Sequence, residues 1–258
     1  MAALARLTHW KQLFPRGPAD FVLQLGIWFG FLLIYQVARG VADRGADEAF
    51  ANGQMLIDLE RSLTGLIEID IQHLVIGAGD GLVQLVNWTY WNSQFTVIGL
   101  TLVWVYFARN DNFLRLRNTL LLANVIGLIG FVAMPTAPPR LFPEVGFIDT
   151  LATASGINHG SGLIELASNQ FAAMPSLHSA DALILAIMLV PLVRNPLAKL
   201  VWVLWPAWVW FTVMATGNHY WIDIAAGAAL VGVAVSLMAY VERRLSHRED
   251  VLESAAAN

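Results

Sequence analysis

Cysteine is missing altogether from these 258 residues, and charged residues make up only 13% of them. The first absence excludes disulfides, thiolate metal sites and a cysteine nucleophile. The second argues against an ordinary soluble domain, in which roughly a quarter of residues carry charge. A formal net charge of -4 and the lack of a basic tract remove nucleic acid from the partners to consider. The stretch from Met1 to Asp20 holds Arg6, Lys11 and Arg16 but no short apolar core followed by a small-residue cleavage site. The first hydrophobic span is therefore expected to stay in the mature protein. What remains is apolar: hydrophobic residues reach 57% and the mean hydropathy is +0.59.

A membrane-crossing helix needs about 20 mainly apolar residues. Charge-poor intervals at 21–38, 83–107, 119–135, 177–193, 200–216 and 220–240 predict an all-α integral membrane protein. The expected architecture is a six-transmembrane-helix bundle forming one membrane domain over residues 1–258. Six crossings put both termini on one side, where 11 basic residues fall (Arg6, Lys11, Arg16, Arg109, Arg115, Arg117, Arg194, Lys199, Arg243, Arg244, Arg248). Only 4, Arg39, Arg44, Arg61 and Arg140, fall on the other. By the positive-inside rule the termini are cytoplasmic, in a plasma or inner membrane, and the opposite face is extracytoplasmic.

Between the first two spans, Met55, Leu59, Leu63 and Leu66 recur at helical spacing, with Asp58, Glu60 and Arg61 between them and Gly65 interrupting. Residues 47–78 are thus predicted to be helical, either lying on the outer interface or packed as a cap over the spans. The long segment from Phe142 to Ala173, with Gly146, Gly156, Gly160 and Gly162, is expected to cover or border a site, because structureless loops of that length are uncommon.

Three polar strings gather on the predicted extracytoplasmic side. In Asn218-His219-Tyr220-Trp221-Ile222-Asp223, the histidine and aspartate are four apart and share a helix face. A carboxylate beside one imidazole nitrogen fixes the tautomer and leaves the other nitrogen as base or nucleophile. A buried pair that ties helices together has the same spacing. In Met174-Pro175-Ser176-Leu177-His178-Ser179, proline suits a helix start, whose backbone donors attract anions. Ser176 supplies a hydroxyl donor there, or simply a helix cap, and His178 supplies a proton. Pro135-Thr136-Ala137-Pro138-Pro139-Arg140 ends the third span with prolines that stiffen the exit and present Arg140. Its guanidinium can clamp phosphate oxygens in bidentate fashion or contact a lipid headgroup. Asp181, one turn after His178, could tune that histidine or bond a neighbouring helix, and Asn218 adjoins the candidate nucleophile. Asn87, Thr89, Tyr90, Asn92, Ser93 and Gln94 are expected to bond between helices or to line a headgroup pocket. Only position draws attention to His159 and Glu165.

Together the strings provide an arginine clamp, an anion-binding helix start, an acid and an oriented imidazole, the parts a phosphoryl group in transfer needs. Over about residues 50–240 the chain resembles the type 2 phosphatidic acid phosphatase superfamily. Its Ala137-Pro138-Pro139-Arg140, Ala172-Ala173-Met174-Pro175-Ser176-Leu177-His178 and His219-Tyr220-Trp221-Ile222-Asp223 are most similar to the inositolphosphotransferase branch, which includes inositol phosphorylceramide synthase. That resemblance implies His219 as the nucleophile that becomes phosphohistidine, Asp223 as its orienting partner and His178 as the acid on the leaving group. It also implies Arg140 and Ser176 as phosphate ligands and no cofactor. The sequence departs from the usual superfamily pattern at Ala133, where a lysine is common, and at Val213, where an arginine is common. The expected function is a lipid phosphatase or phosphotransferase acting on a lipid substrate in the bilayer, with a polyol or alcohol as candidate acceptor. Two competitors remain: a metal-dependent membrane hydrolase using His178, His219 and Asp223 as ligands, and a non-catalytic lipid-phosphate binding or transport protein.

Overall fold

The computed structural model describes residues 14–41, 45–155 and 170–256. Arg6, Lys11, Arg44, His159, Glu165 and the Gly156–Gly162 stretch lie outside the described residues. Among the described residues the α-helices are α1 (Pro18–Val41), α2 (Ala46–Leu63), α3 (Ile67–Gly77), α4 (Asp80–Gln94), α5 (Thr96–Ala108), α6 (Asn110–Ala133), α7 (Thr150–Ser155), α8 (Leu177–Leu189), α9 (Pro196–Ala215) and α10 (Trp221–Ala256). The described residues contain no strand, only a single parallel bridge between Thr136 and Ala172.

Among the described residues, four helices, α1, α6, α9 and α10, are long and apolar enough to cross a membrane. Their outward faces are apolar too: Val22, Phe29 and Leu33 on α1, Leu197, Leu200 and Leu204 on α9, and Val233 and Leu237 on α10 are exposed. Such a girdle suits lipid as the solvent.

The other two predicted spans take a different form. The interval 83–107 is split at Phe95 into α4 and α5. Thr89 Oγ1, Asn92 Nδ2 and Ser93 Oγ donate to the carbonyls of Leu85, Trp88 and Tyr90 at 2.9, 2.8 and 3.2 Å. Side chains that compete for the helical ladder in this way bend or break helices. The interval 177–193 holds only the 13 residues of α8. Pro191 follows its C-cap, and a helix seldom runs up to the residue before a proline.

Short as it is, α8 is the centre of the bundle, packed against α4, α6, α9 and α10. Leu177, Ala180, Ile184, Leu185 and Leu189 interlock with Leu116, Leu120 and Phe131 of α6 and Leu230, Val231 and Ala234 of α10. Side chains that emerge from the start of α8 are consequently fixed from several directions. Gly227 on α10 lets the backbone carbonyl of Ser176 rest against that helix where any Cβ would collide with it.

The predicted 47–78 segment forms two helices, α2 and α3, joined through Gly65 at φ +78°. The face of α2 bearing Ala49, Leu56 and Ile57 is buried against Ala137, Phe142, Phe147 and Tyr220. The stripe of Met55, Leu59 and Leu63 points the other way and is exposed. The helix therefore packs as a cap on the bundle and shows an apolar stripe outward.

Candidate active site

Three chain segments meet above the start of α8. The loop after α6 pairs with the strand-like approach to α8: Thr136 N donates to Phe171 O at 2.8 Å and Ala173 N to Thr136 O at 3.3 Å. The loop is also tied to the approach to α10, through Arg140 N to Gly217 O at 2.7 Å and Tyr220 OH to Ala137 O at 3.1 Å. The starts of α8 and α10 are joined by Ser176 N donating to Asp223 O at 3.0 Å. Gly217 adopts φ +69°, and a Cβ there would sit 2.8 Å from Ile148 O and 2.9 Å from Gln72 Nε2. Only glycine suits this turn, which delivers Asn218 and His219.

The resulting pocket spans about 400 Å³, open solvent at its mouth included. Arg140, His178, Asn218 and His219 line it, as do Tyr35 of α1 and Tyr90 and Gln94 of α4. The two histidine rings lie 5.8 Å apart between centroids. Nδ1 of His219 lies 2.9 Å from the Ala173 carbonyl oxygen and 3.4 Å from Asp223 Oδ2. Against a carbonyl acceptor that nitrogen must carry the proton, so the neutral ring has its lone pair on Nε2. Asp223 Oδ2 also accepts the N–H of Tyr220 at 2.9 Å. The carboxylate is thus shared between the ring and the backbone, and the Ala173 carbonyl is the nearer partner of the ring.

His178 stacks on Tyr90, with 4.5 Å between centroids and 18° between planes. Arg140 NH1 donates to Asn218 Oδ1 at 2.7 Å, and Arg140 Nε lies 3.7 Å from Asp149 Oδ2. Asn218 in turn donates to Thr216 Oγ1 at 3.0 Å, which fixes its amide. The arginine is therefore held in place by residues on two different segments.

Ser176 is fully buried, and its Oγ accepts from Ser179 N at 3.3 Å. It serves as the α8 cap, and it does not line the pocket. Asp181 Oδ1 accepts from Asn124 Nδ2 of α6 at 2.9 Å, a bond to a neighbouring helix. In the polar stretch of α4, Asn87 and Thr150 exchange hydrogen bonds at 2.9 Å, and Trp208 Nε1 donates to Thr89 Oγ1 at 3.2 Å. Tyr90 and Gln94 line the pocket instead, while Asn92 and Ser93 bond back to carbonyls of their own helix.

Sequence reasoning missed two residues beneath the site. Glu60, expected on the polar side of its helix, is buried, and Glu68 of α3 is buried beside it. Their Oε1 atoms accept the backbone N–H groups of Ile222 and Trp221 at 3.0 and 2.7 Å. The acceptors lie 162 and 153 positions away in the chain, which no local pattern could show.

Residues 54–237 match the model of the PAP2 superfamily, which is well over half of the chain. An inositol phosphorylceramide synthase from Candida albicans is 30% identical over 120 residues, covering 42% of this chain and 25% of that protein. A phosphoinositol dihydroceramide synthase from Bacteroides thetaiotaomicron is 27% identical over 156 residues, covering 53% of this chain and 48% of that protein. The matches therefore span less than half the length of either relative. No solved structure matches the chain. With the three polar strings joined at one pocket inside the matched region, the chain belongs to the PAP2 superfamily, on its inositolphosphotransferase-like side.

Proposed function

We propose that this chain is a membrane phosphotransferase that moves a phospho-headgroup from a donor lipid to an alcohol through a phosphohistidine at His219. The observation that carries this reading is the fixed tautomer of His219 in the wall of a pocket shared with His178 and Arg140. Nε2 of His219 attacks phosphorus as the bond to the donor lipid's oxygen breaks, and His178 gives that oxygen its proton. His178, now neutral, then takes the proton of the acceptor hydroxyl, whose oxygen displaces His219 from phosphorus. Asp223 and the Ala173 carbonyl orient the nucleophile throughout.

Charge favours a phosphodiester as donor. Arg140 is the only lysine or arginine among the described residues lining the pocket, and the positions of two further family cations hold Ala133 and Val213. A diester phosphate carries one negative charge where a monoester carries up to two, so it needs fewer cations. The names of both relatives, synthases of phosphoinositol-bearing ceramides, favour a lipid alcohol as acceptor and phosphoinositol as the group moved.

We place the site on the extracytoplasmic face of a six-crossing bundle, with α4 and α5 together as one crossing and α8 as another. Single cysteines introduced as Asp58→Cys and Asn195→Cys test this with an impermeant thiol reagent on intact cells, where only the first should react. The activity test uses purified protein in vesicles with labelled phosphatidylinositol and either a ceramide, free inositol or water alone. A new phosphodiester product formed in the presence of chelator supports the proposal. Release of water-soluble headgroup phosphate at a rate no alcohol diminishes overturns transfer, and loss of turnover on chelation favours the metal-dependent alternative. Lipid binding without any product leaves a non-catalytic protein.

A further inference from the structure

Three successive backbone N–H groups at the start of α10 each end on a carboxyl oxygen: Tyr220 on Asp223 at 2.9 Å, Trp221 on Glu68 at 2.7 Å and Ile222 on Glu60 at 3.0 Å. Helix starts ordinarily leave such donors to water, caps or a bound anion. Here they are occupied by the protein, and two of the three acceptors come from α2 and α3. The two carboxyl groups also act on each other electrostatically. Their Oε2 atoms are buried with no hydrogen-bond partner, and neither side chain forms an ion pair among the described residues.

We propose that Glu60 and Glu68 are positioning residues that clamp the first turn of α10 beneath His219, and that they do so as a pair holding one proton between their otherwise unpartnered buried oxygens. A carboxyl–carboxylate pair satisfies both buried oxygens and carries a single negative charge, which suits the positive end of a helix. Two ionised carboxylates in the same space would repel, and burial penalises each of them. Burial, then the charge of Glu68, pushes the Glu60 carboxyl up to about 8, and burial likewise raises Glu68. The other titratable groups acting on the pair are Asp223 and Tyr220, with Glu144 acting on Tyr220. The clamp therefore holds in neutral solution and weakens as pH rises through about 8. His219 precedes the clamped N–H of Trp221 by two residues, so a loosened turn moves the nucleophile.

The role of the pair at His219 rests on the phosphotransfer reading, whereas the clamp itself does not, and the experiment separates them. Purified Glu60→Gln, Glu60→Ala and Glu68→Ala proteins are compared with the unaltered chain for kcat, KM and their pH profiles. Hydrogen exchange of the 219–226 peptide, corrected for intrinsic rates, is followed in parallel. Glutamine keeps an acceptor for Ile222 and supplies a permanent donor to Glu68, so Glu60→Gln should retain most turnover and extend the alkaline limb upward. Its peptide should also stay protected above pH 8. The alanine variants should lose about 10²-fold in kcat with little change in KM, as misplacement of a reacting group does. They should also lose protection of the peptide. A Glu60→Gln profile that superimposes on that of the unaltered chain overturns the shared proton. Full kcat and full protection in both alanine variants overturn the clamp. Absence of turnover in every protein sinks the phosphotransfer reading, while the exchange data still decide the clamp.

Discussion

The two histidine strings open two helices in the same pocket wall, yet their helix starts are built oppositely. At α8 the cap is neutral, a single Ser176 hydroxyl accepting from Ser179 N at 3.3 Å. At α10 the caps are carboxyl oxygens of Asp223, Glu68 and Glu60 on three consecutive N–H groups. A neutral cap leaves the positive end of the α8 dipole available to an incoming anion, whereas the carboxyl groups at α10 more than offset theirs. On the proposed reading, phosphate sits on the α8 and Arg140 side, and positive charge develops on the α10 side. In the proposed reaction the attacking imidazole of His219 gains positive charge as the new bond forms, with the carboxyl groups behind it. Such a site is electrostatically arranged before substrate arrives, which is the most effective form of transition-state stabilisation.

The largest break in this comparison is removal of the nucleophile. His219→Ala should lower turnover by about 10⁴-fold or more, on the scale seen when a member of a catalytic unit is deleted. The acid-labile, base-stable label expected on quenched protein should vanish with it. Asp223→Asn should leave a measurable residual rate, because the Ala173 carbonyl still holds Nδ1. A His219→Ala protein with normal turnover would rule out the phosphohistidine.

His178 tests the other helix start. General-acid help is worth about 10² to 10⁴ in rate and matters most when the departing alkoxide is basic. His178→Ala should suffer that loss on lipid donors but much less on an aryl phosphodiester with a good leaving group. Equal losses on both substrates would make His178 a phosphate ligand and remove the functional difference between the two starts. The stacked ring of Tyr90 gives a milder version of the test. Tyr90→Leu should keep the acid but widen its range of orientations, lowering kcat less than His178→Ala.

How legible the site was depended on the range of the contacts. Arg140, His178, Asn218 and His219 could be found because each sits at a helix end marked by proline, serine or a four-residue spacing, and all four do line one pocket. The all-helical character and four long apolar helices likewise follow from composition and charge-free runs. Apolarity alone did not show that 83–107 divides into two helices or that the helix in 177–193 is short, where polar back-bonding and Pro191 limit the helices. Glu60 and Glu68 were illegible for a different reason. Among Asp58 and Arg61, Glu60 reads as solvated polarity, and only tertiary packing turns it toward Ile222.

Arg140 offers a smaller, graded test. Its NH1 bond to Asn218 at 2.7 Å and its proximity to Asp149 hold the guanidinium at the pocket wall. Arg140→Lys keeps the charge but loses the planar fork, and hydrogen bonds to charged groups are worth about 1.5–3 kcal/mol each. We expect KM for the lipid donor to rise by about 10-fold or more, which corresponds to about 1.4 kcal/mol. Asn218→Ala, which removes the bracing amide and leaves the guanidinium intact, should show a smaller rise in the same direction. An unchanged KM in both variants would move the phosphate away from this side of the pocket.

Ser176 should give the smallest effect and the sharpest distinction. Its Oγ is buried and outside the pocket wall, so Ser176→Ala is expected to act through the lost cap and not through a substrate contact. Loss of a serine cap costs about 1 kcal/mol of stability. The unfolding midpoint should fall by a few degrees while KM for the donor lipid stays constant. Ser176→Asp keeps a cap but places a carboxylate at α8 as at α10, which would make the two helix starts alike. If a neutral start at α8 is what admits phosphate, Ser176→Asp should raise KM although the helix stays capped. A raised KM already in Ser176→Ala would instead make the hydroxyl itself a phosphate ligand, and the contrast between the two helix starts would then rest on α10 alone.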